Sequence, residues 1–141
     1  MIIIFDYYRT LFNPDTDSLY AGVIEVVKKL SQKNDLFLVS RNEPGRATRL
    51  KEFGIHKYFQ KSIFVEEKTK EAFETLAKKG IRTIVVGDRV KQEIALGNQL
   101  GLTTVWVRQG KFADELPSVE GERPNYMIQD IRELTDIIAI L

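Results

Sequence analysis

The chain predicts a doubly wound α/β fold, with a parallel sheet of five to six strands between two layers of helices. Short runs rich in Ile and Val recur at Ile2 to Phe5, Leu36 to Val39, Ile63 to Val65, Thr83 to Val86, Thr104 to Val107 and Tyr126 to Ile128. Continuous apolar runs of this length, lacking strict alternation, suit strands covered on both faces. Between most of them lie residues at helical spacing, such as Leu19, Val23, Val26, Val27 and Leu30, or Ile131, Leu134, Ile138 and Leu141. Crossovers of this length join parallel neighbours, whereas antiparallel neighbours need only a tight turn.

Turn and cap residues divide these elements in order. Asp17 and Ser18 precede the first helix as N-cap candidates, and Pro44 fits the first turn of the second. Phe73, Leu76 and Ala77 mark a third helix that Gly80 stops, and Gly101 stops the fourth. The stretch from Gln109 to Pro124, with Gly110, Pro117 and Gly121, reads as the longest loop. The connection from Tyr7 to Asp35 has room for one helix and no inserted domain. No repeat or linker divides the chain, so residues 1–141 read as one domain.

Composition narrows the chemistry. The 141 residues hold 21 basic and 20 acidic side chains, a net charge of +1, which gives no footprint for general nucleic-acid or anionic-membrane binding. The chain has no Cys and only one His, which removes disulfides, thiolate zinc sites, cysteine nucleophiles and His-rich metal sites. His56 sits in a connecting turn with no partner nearby in sequence and reads as structural. No apolar run approaches the roughly 18 residues of a spanning helix, and the N-terminus lacks the pattern of a secretory leader. The chain therefore reads as soluble and cytoplasmic, with chemistry left to carboxylates, hydroxyls, Lys and Arg.

Ligands of an open parallel sheet gather at the carboxyl ends of its strands, where strand order reverses. The residues that end these runs are Asp6, then Ser40 and Arg41, then Glu66 to Lys68, then Asp88 and Arg89. Carboxylates suit Mg²⁺, while hydroxyl and ammonium groups suit phosphoryl oxygens, so the set fits a metal ion beside a phosphorylated substrate. Singly, each has an ordinary reading: Asp6 as a strand-end acceptor, Ser40 as a turn residue, Lys68 as part of a charged helix start, Glu93 as a solvated helix residue. Arg9, Arg41 and Arg89 are read either as a ring for an anionic substrate or as surface guanidiniums. Trp106 and Phe12 read as core or pocket wall.

Four segments together resemble the motifs of the haloacid dehalogenase (HAD) superfamily. Phe5-Asp6-Tyr7-Tyr8-Arg9-Thr10-Leu11-Phe12 is similar to its first motif, and Leu36 to Ser40 to its second, an apolar strand ending in a hydroxyl residue. Lys68, opening a helix, resembles the third, with Lys70 as a substitute. Gly87-Asp88, followed five residues later by Glu93, resembles the fourth. The resemblance implies a Rossmann-like HAD-type domain and a Mg²⁺-dependent phosphohydrolase. In that reading Asp6 is the nucleophile that becomes an aspartyl phosphate. The metal ligands would be Asp6, the backbone carbonyl of Tyr8, Asp88 and Glu93. Ser40 and Lys68 would hold the phosphoryl group, with Arg9 and Arg41 as further substrate contacts.

One position departs from the pattern. Tyr8 replaces the second Asp of motif one, which protonates the leaving group and activates water. A phenol, with a reference pKa near 10, donates a proton but is a poor base near neutrality, and such help is commonly worth roughly 10²- to 10⁴-fold. Two alternatives therefore stand beside the phosphatase: a phosphate and Mg²⁺ binding module without turnover, and carbon–halogen hydrolysis of the 2-haloacid dehalogenase type. The short first connection also implies no sizeable cap over the strand ends. An open site suits a large, even macromolecular, phosphorylated substrate unless the loop Gln109 to Pro124 or a second subunit of a homo-oligomer closes it.

Overall fold

The computed structural model describes residues 1–141. In chain order its elements are β1 (Ile2–Phe5), β2 (Phe12–Asn13), β3 (Ser18–Leu19), α1 (Val23–Ser31), β4 (Asp35–Arg41), α2 (Arg46–Glu52), β5 (Lys61–Val65), α3 (Lys70–Glu74), β6 (Thr83–Gly87), α4 (Ala95–Gln99), β7 (Thr103–Val107), β8 (Tyr126–Ile128) and α5 (Leu134–Ile140). A π-helical turn, Val90–Ile94, leads into α4. Six strands form one sheet in the order β5-β4-β1-β6-β7-β8, every neighbouring pair parallel. The chain leaves β1 for β4 and β5 on one side, then returns past β1 to β6, β7 and β8. Strand order thus reverses between β1 and β6, and a crevice opens there at the strands' carboxyl ends.

All four β1 residues are fully buried, and their alternation feeds two cores. Ile3 and Phe5 pack with Leu36, Leu38, Ile84, Val86, Val105 and Val107 against the apolar stripes of α1, α2 and α5. Ile2 and Ile4 join Val39 and Val85 on the opposite face, against Phe73 and Leu76 of the α3 region and the partly buried Leu96 and Leu100. Removing one such side chain from water contributes about 1.5–3 kcal/mol, so β1 anchors both layers. No helix is long and apolar enough to cross a membrane.

The predicted strands agree with the sheet to within a residue or two, but four local boundaries move. Asp17 and Ser18 do not cap α1. Ser18 and Leu19 instead pair antiparallel with Asn13 and Phe12, and Asp17 takes φ 52° in the turn between them. Helix α1 begins later, after Gly22, whose φ of 86° places it in the left-handed region that favours glycine. Pro44 lies before Gly45, which starts α2 at φ 83°, and α3 ends at Glu74, well before Gly80. Lys68 likewise precedes α3 rather than opening it. Gly101 follows α4 at φ 70°, as its stop. No domain is inserted between β1 and β4: the segment holds the small hairpin β2–β3 and α1.

Candidate active site

The site begins where β1 ends. The Asp6 N–H donates to the Val86 carbonyl at 2.9 Å, continuing the ladder one step and holding Asp6 beside the end of β6. The chain then turns sharply: the Tyr7 carbonyl accepts from the N–H groups of Thr10, Leu11 and Phe12. That turn returns Thr10 to the strand end, where its fully buried hydroxyl donates to Asp6 Oδ2 at 2.9 Å, with Asp88 Oδ1 at 3.5 Å. Tyr7 packs into the core while Tyr8 lines the cleft with Asp6, the opposite directions expected of adjacent residues in extended chain.

Motif four supplies the other two acids. Gly87 ends β6, and the π-helical turn swings Glu93 back over it, so that a Cβ on residue 87 would lie 2.6 Å from Glu93 Oε2. Only glycine leaves room for that approach. The Glu93 carboxylate accepts from the Arg89 N–H at 3.2 Å, and Trp106 Nε1 donates to the Asp88 carbonyl at 3.0 Å, fixing the segment from both ends. Trp106 itself is buried against Val90 and Ile94.

Lys68 joins these elements. Its ammonium donates to Asp6 Oδ1, and to Glu93 Oε1 at 2.7 Å, with only 8% of its side chain exposed. Burial opposes its charge, but Asp6 and then Glu93 more than offset that, and its pKa is raised. Burial, followed by the charges of Asp6 and Glu93, pushes Asp88 up to about 9. Burial also raises Glu93 to about 6, against the attraction of Lys68. Carboxylate oxygens of Asp6, Asp88 and Glu93 lie within 4.8 Å of one another, and Asp88 Oδ2 is buried without a hydrogen-bond partner. An all-oxygen donor set with an orphaned acceptor fits a hard divalent cation such as Mg²⁺.

A pH dependence of stability follows. In the metal-free protein Asp88 and Glu93 hold protons more tightly folded than unfolded. Their contribution is therefore complete below the ordinary carboxylate range and is lost as pH rises through about 6 for Glu93 and about 9 for Asp88. The melting midpoint in EDTA is expected to fall between about pH 5 and about pH 9, and saturating Mg²⁺ should flatten the fall by favouring the ionised carboxylates. Calorimetry across that range checks this. A midpoint in EDTA that climbs throughout would contradict it.

Around this centre lies an open cleft of about 280 Å³ whose walls include Asp6, Tyr8, Arg9, Arg41, Lys68, Asp88, Arg89 and Glu93. Ser40 is not on that wall. It is fully buried behind it, its Oγ donating to the Arg41 carbonyl at 3.2 Å and accepting from Arg46 Nη1 at 3.1 Å. Arg89 is held by Glu115 through Nε at 3.0 Å, and its guanidinium lies 3.7 Å from the Phe112 ring centre. The loop after β7 thus folds onto the rim: Phe112 lines the cleft, and Gln109 Nε2 donates to the carbonyls of Arg9 and Thr10, both at 3.2 Å. His56 is exposed and far in sequence from these groups. Thr10 and Arg46 also lie at this site, and neither was singled out by the sequence. Thr10 had a signal, its place in motif one, whereas Arg46 had none beyond following Gly45.

A doubly wound α/β domain with three carboxylates and a lysine at its switch point is the class that fold and site define. The family model described as HAD-hydrolase-like matches residues 67–134. The chain is 30% identical over 102 residues to the glyceraldehyde 3-phosphate phosphatase of Methanopyrus kandleri, covering 66% of this chain and 44% of that protein. It is 28% identical to the HAD-hydrolase YfnB of Bacillus subtilis, covering 92% of this chain and 58% of that one. The crystal structure of YfnB bound to magnesium superposes with a TM-score of 0.71 at 25% identity, over 86% of this chain and 56% of that chain. A HAD phosphatase from Thermococcus onnurineus shares the fold, with a TM-score of 0.70 at 21% identity over 86% and 58% of the two chains. In sequence and in fold the chain is thus similar to hydrolases of the HAD superfamily. It spans about half the length of the curated relatives it matches.

Proposed function

We propose that the chain is a Mg²⁺-dependent phosphohydrolase acting on a phosphate ester or acyl phosphate through an aspartyl phosphate on Asp6. The observation that carries this reading is the convergence of Asp6, Asp88 and Glu93 around the Lys68 ammonium at the sheet's switch point. The phosphatase names of the Methanopyrus and Thermococcus relatives support it. Asp6, Asp88 and Glu93 would hold the ion, which when bound neutralises phosphoryl charge that would otherwise repel a carboxylate nucleophile.

An Asp6 carboxylate oxygen attacks phosphorus, the bond from phosphorus to the leaving oxygen breaks, and the leaving group departs with the electron pair. Water then attacks the phosphorus of the acyl phosphate, releasing phosphate and restoring Asp6. Thr10 holds Asp6 in position throughout, and Lys68 offsets negative charge on the transferring group. Tyr8 faces the cleft where the leaving group must exit, and as a phenol it is suited to donating a proton but not to taking one from water.

Leaving-group dependence tests this. With Mg²⁺, acetyl phosphate and p-nitrophenyl phosphate should be hydrolysed, and an alkyl phosphate about 10²- to 10⁴-fold more slowly, because only the last needs strong acid assistance. Chelation with EDTA should abolish all turnover. Tyr8→Asp should raise the alkyl rate selectively. Absence of phosphate release from all three substrates would sink the reading, as would halide release from a 2-haloacid in EDTA.

A further inference from the structure

The cleft carries more positive charge than hydrolysis of one phosphoryl group requires. Lys68 is committed to Asp6 and Glu93, and Arg89 to Glu115. Arg9, Arg41 and Arg46 also line the cleft, and none has a carboxylate within ion-pair distance. Two of them are nonetheless held in place. The Arg9 guanidinium lies 4.7 Å from the Tyr8 ring centre and 5.4 Å from that of Phe112, and its carbonyl is tied to Gln109. Arg9 also takes φ 65°, in the left-handed region that residues other than glycine rarely adopt. Arg46 lies 4.5 Å from the Tyr8 ring centre and is held by Ser40 Oγ and the Arg41 carbonyl. Tyr8, which replaces the family's acid, thereby forms the aromatic platform for both guanidiniums.

Ordinary surface arginines are mobile and satisfied by water. Here Arg9 and Arg46 are stacked on the Tyr8 ring, Arg46 is also hydrogen-bonded to neutral groups, and all three line a small cleft beside the reacting centre, where Glu43 is the further acid and lies outside ion-pair distance of each. We propose that Arg9, Arg41 and Arg46 form a second anion subsite, and that the substrate is a small phosphomonoester carrying a further anionic group, a carboxylate or a second phosphate, away from the scissile phosphoryl. The cleft volume of about 280 Å³ suits a metabolite rather than a folded partner. Guanidinium pairs favour both anions through bidentate hydrogen bonds, so the two sources share one chemistry. This inference rests on the phosphohydrolase reading.

Glycerol 3-phosphate and 3-phosphoglycerate differ only by a hydroxymethyl group against a carboxylate, and propane-1,3-diol bisphosphate supplies the phosphate alternative. The ratio of kcat/KM for each anionic substrate to that for glycerol 3-phosphate should be about 10- to 100-fold in the wild type, as expected for one or two charge-assisted contacts. It should fall toward unity in Arg9→Gln/Arg41→Gln and recover in part in the corresponding Lys variants. Which anionic substrate leads identifies the second group. Equal kcat/KM across the three, or a preference that survives the double substitution, would overturn the proposal. If none turns over, the hydrolase reading stands or falls on acetyl phosphate and p-nitrophenyl phosphate, and calorimetric binding to Asp6→Asn decides the subsite alone. Tighter binding of either anionic ligand than of glycerol 3-phosphate would support the subsite, and equal or undetectable binding of all three would overturn it.

Discussion

Asp6→Asn is expected to lower hydrolysis of acetyl phosphate and p-nitrophenyl phosphate by about 10³-fold or more, because the amide oxygen is a poor nucleophile and no neighbouring group can replace it. The same substitution should leave the fold at least as stable as the wild type. An amide retains an oxygen that can accept from Lys68 and gains an N–H₂ next to Asp88, whose Oδ2 is buried without a partner. It also removes one of the two charges that push Asp88 toward its neutral form. In EDTA near pH 9, Asp6→Asn is therefore expected to melt above the wild type, while Mg²⁺ should stabilise it less. Initial rates and melting curves on the same preparation check both halves. Retention of more than about a tenth of the activity would remove Asp6 from the nucleophile's role, since acid–base or electrostatic contributions alone reach the 10²- to 10⁴-fold range.

The strands were legible in the sequence because their physics is local. A strand such as β1, covered on both faces, must be apolar at every position, and Ile2 to Phe5 reads that way at once. The strand-end positions of Asp6 and Asp88 followed from the same runs. Boundaries set by tertiary pairing were not legible. Leu19 shares the helical spacing of Val23 and Val26, yet it pairs with Phe12 across a two-residue strand, and only the return of the chain reveals that. The environment of Lys68 was hidden in a stretch of alternating charges that looks solvated, because the acid that buries it lies 62 residues away. Ser40 shows the reverse: a hydroxyl at the end of the right strand that supports Arg46 behind the cleft rather than facing it. The arginine stack on Tyr8 joins the turn after β1 to the start of α2, so no spacing rule could have announced it.

These contacts make the centre a balance of buried charges, and removing its cation should have the opposite structural effect from removing its nucleophile. In Lys68→Met the chain loses the only ammonium touching Asp6 and Glu93, while an unbranched apolar side chain keeps much of the packing. Breaking a buried pair by deleting one partner typically costs about 3–5 kcal/mol, because the remaining charge is left without compensation. Glu93, already pushed up to about 6 by burial, can take up a proton, so the loss should be greatest at alkaline pH and smaller near pH 5. Urea unfolding in EDTA at both pH values measures it, and equal midpoints for variant and wild type at alkaline pH would contradict the charge balance described for the site. Mg²⁺ should recover a large part of the stability by mass action, since it binds only the folded arrangement of the acids. It should not recover turnover, expected to stay about 10²- to 10³-fold down, because the ammonium that offsets the phosphoryl charge is gone. Stability that returns with the ion while catalysis does not would separate the two duties of Lys68: holding Asp6 and Glu93 together without a metal and offsetting substrate charge during turnover.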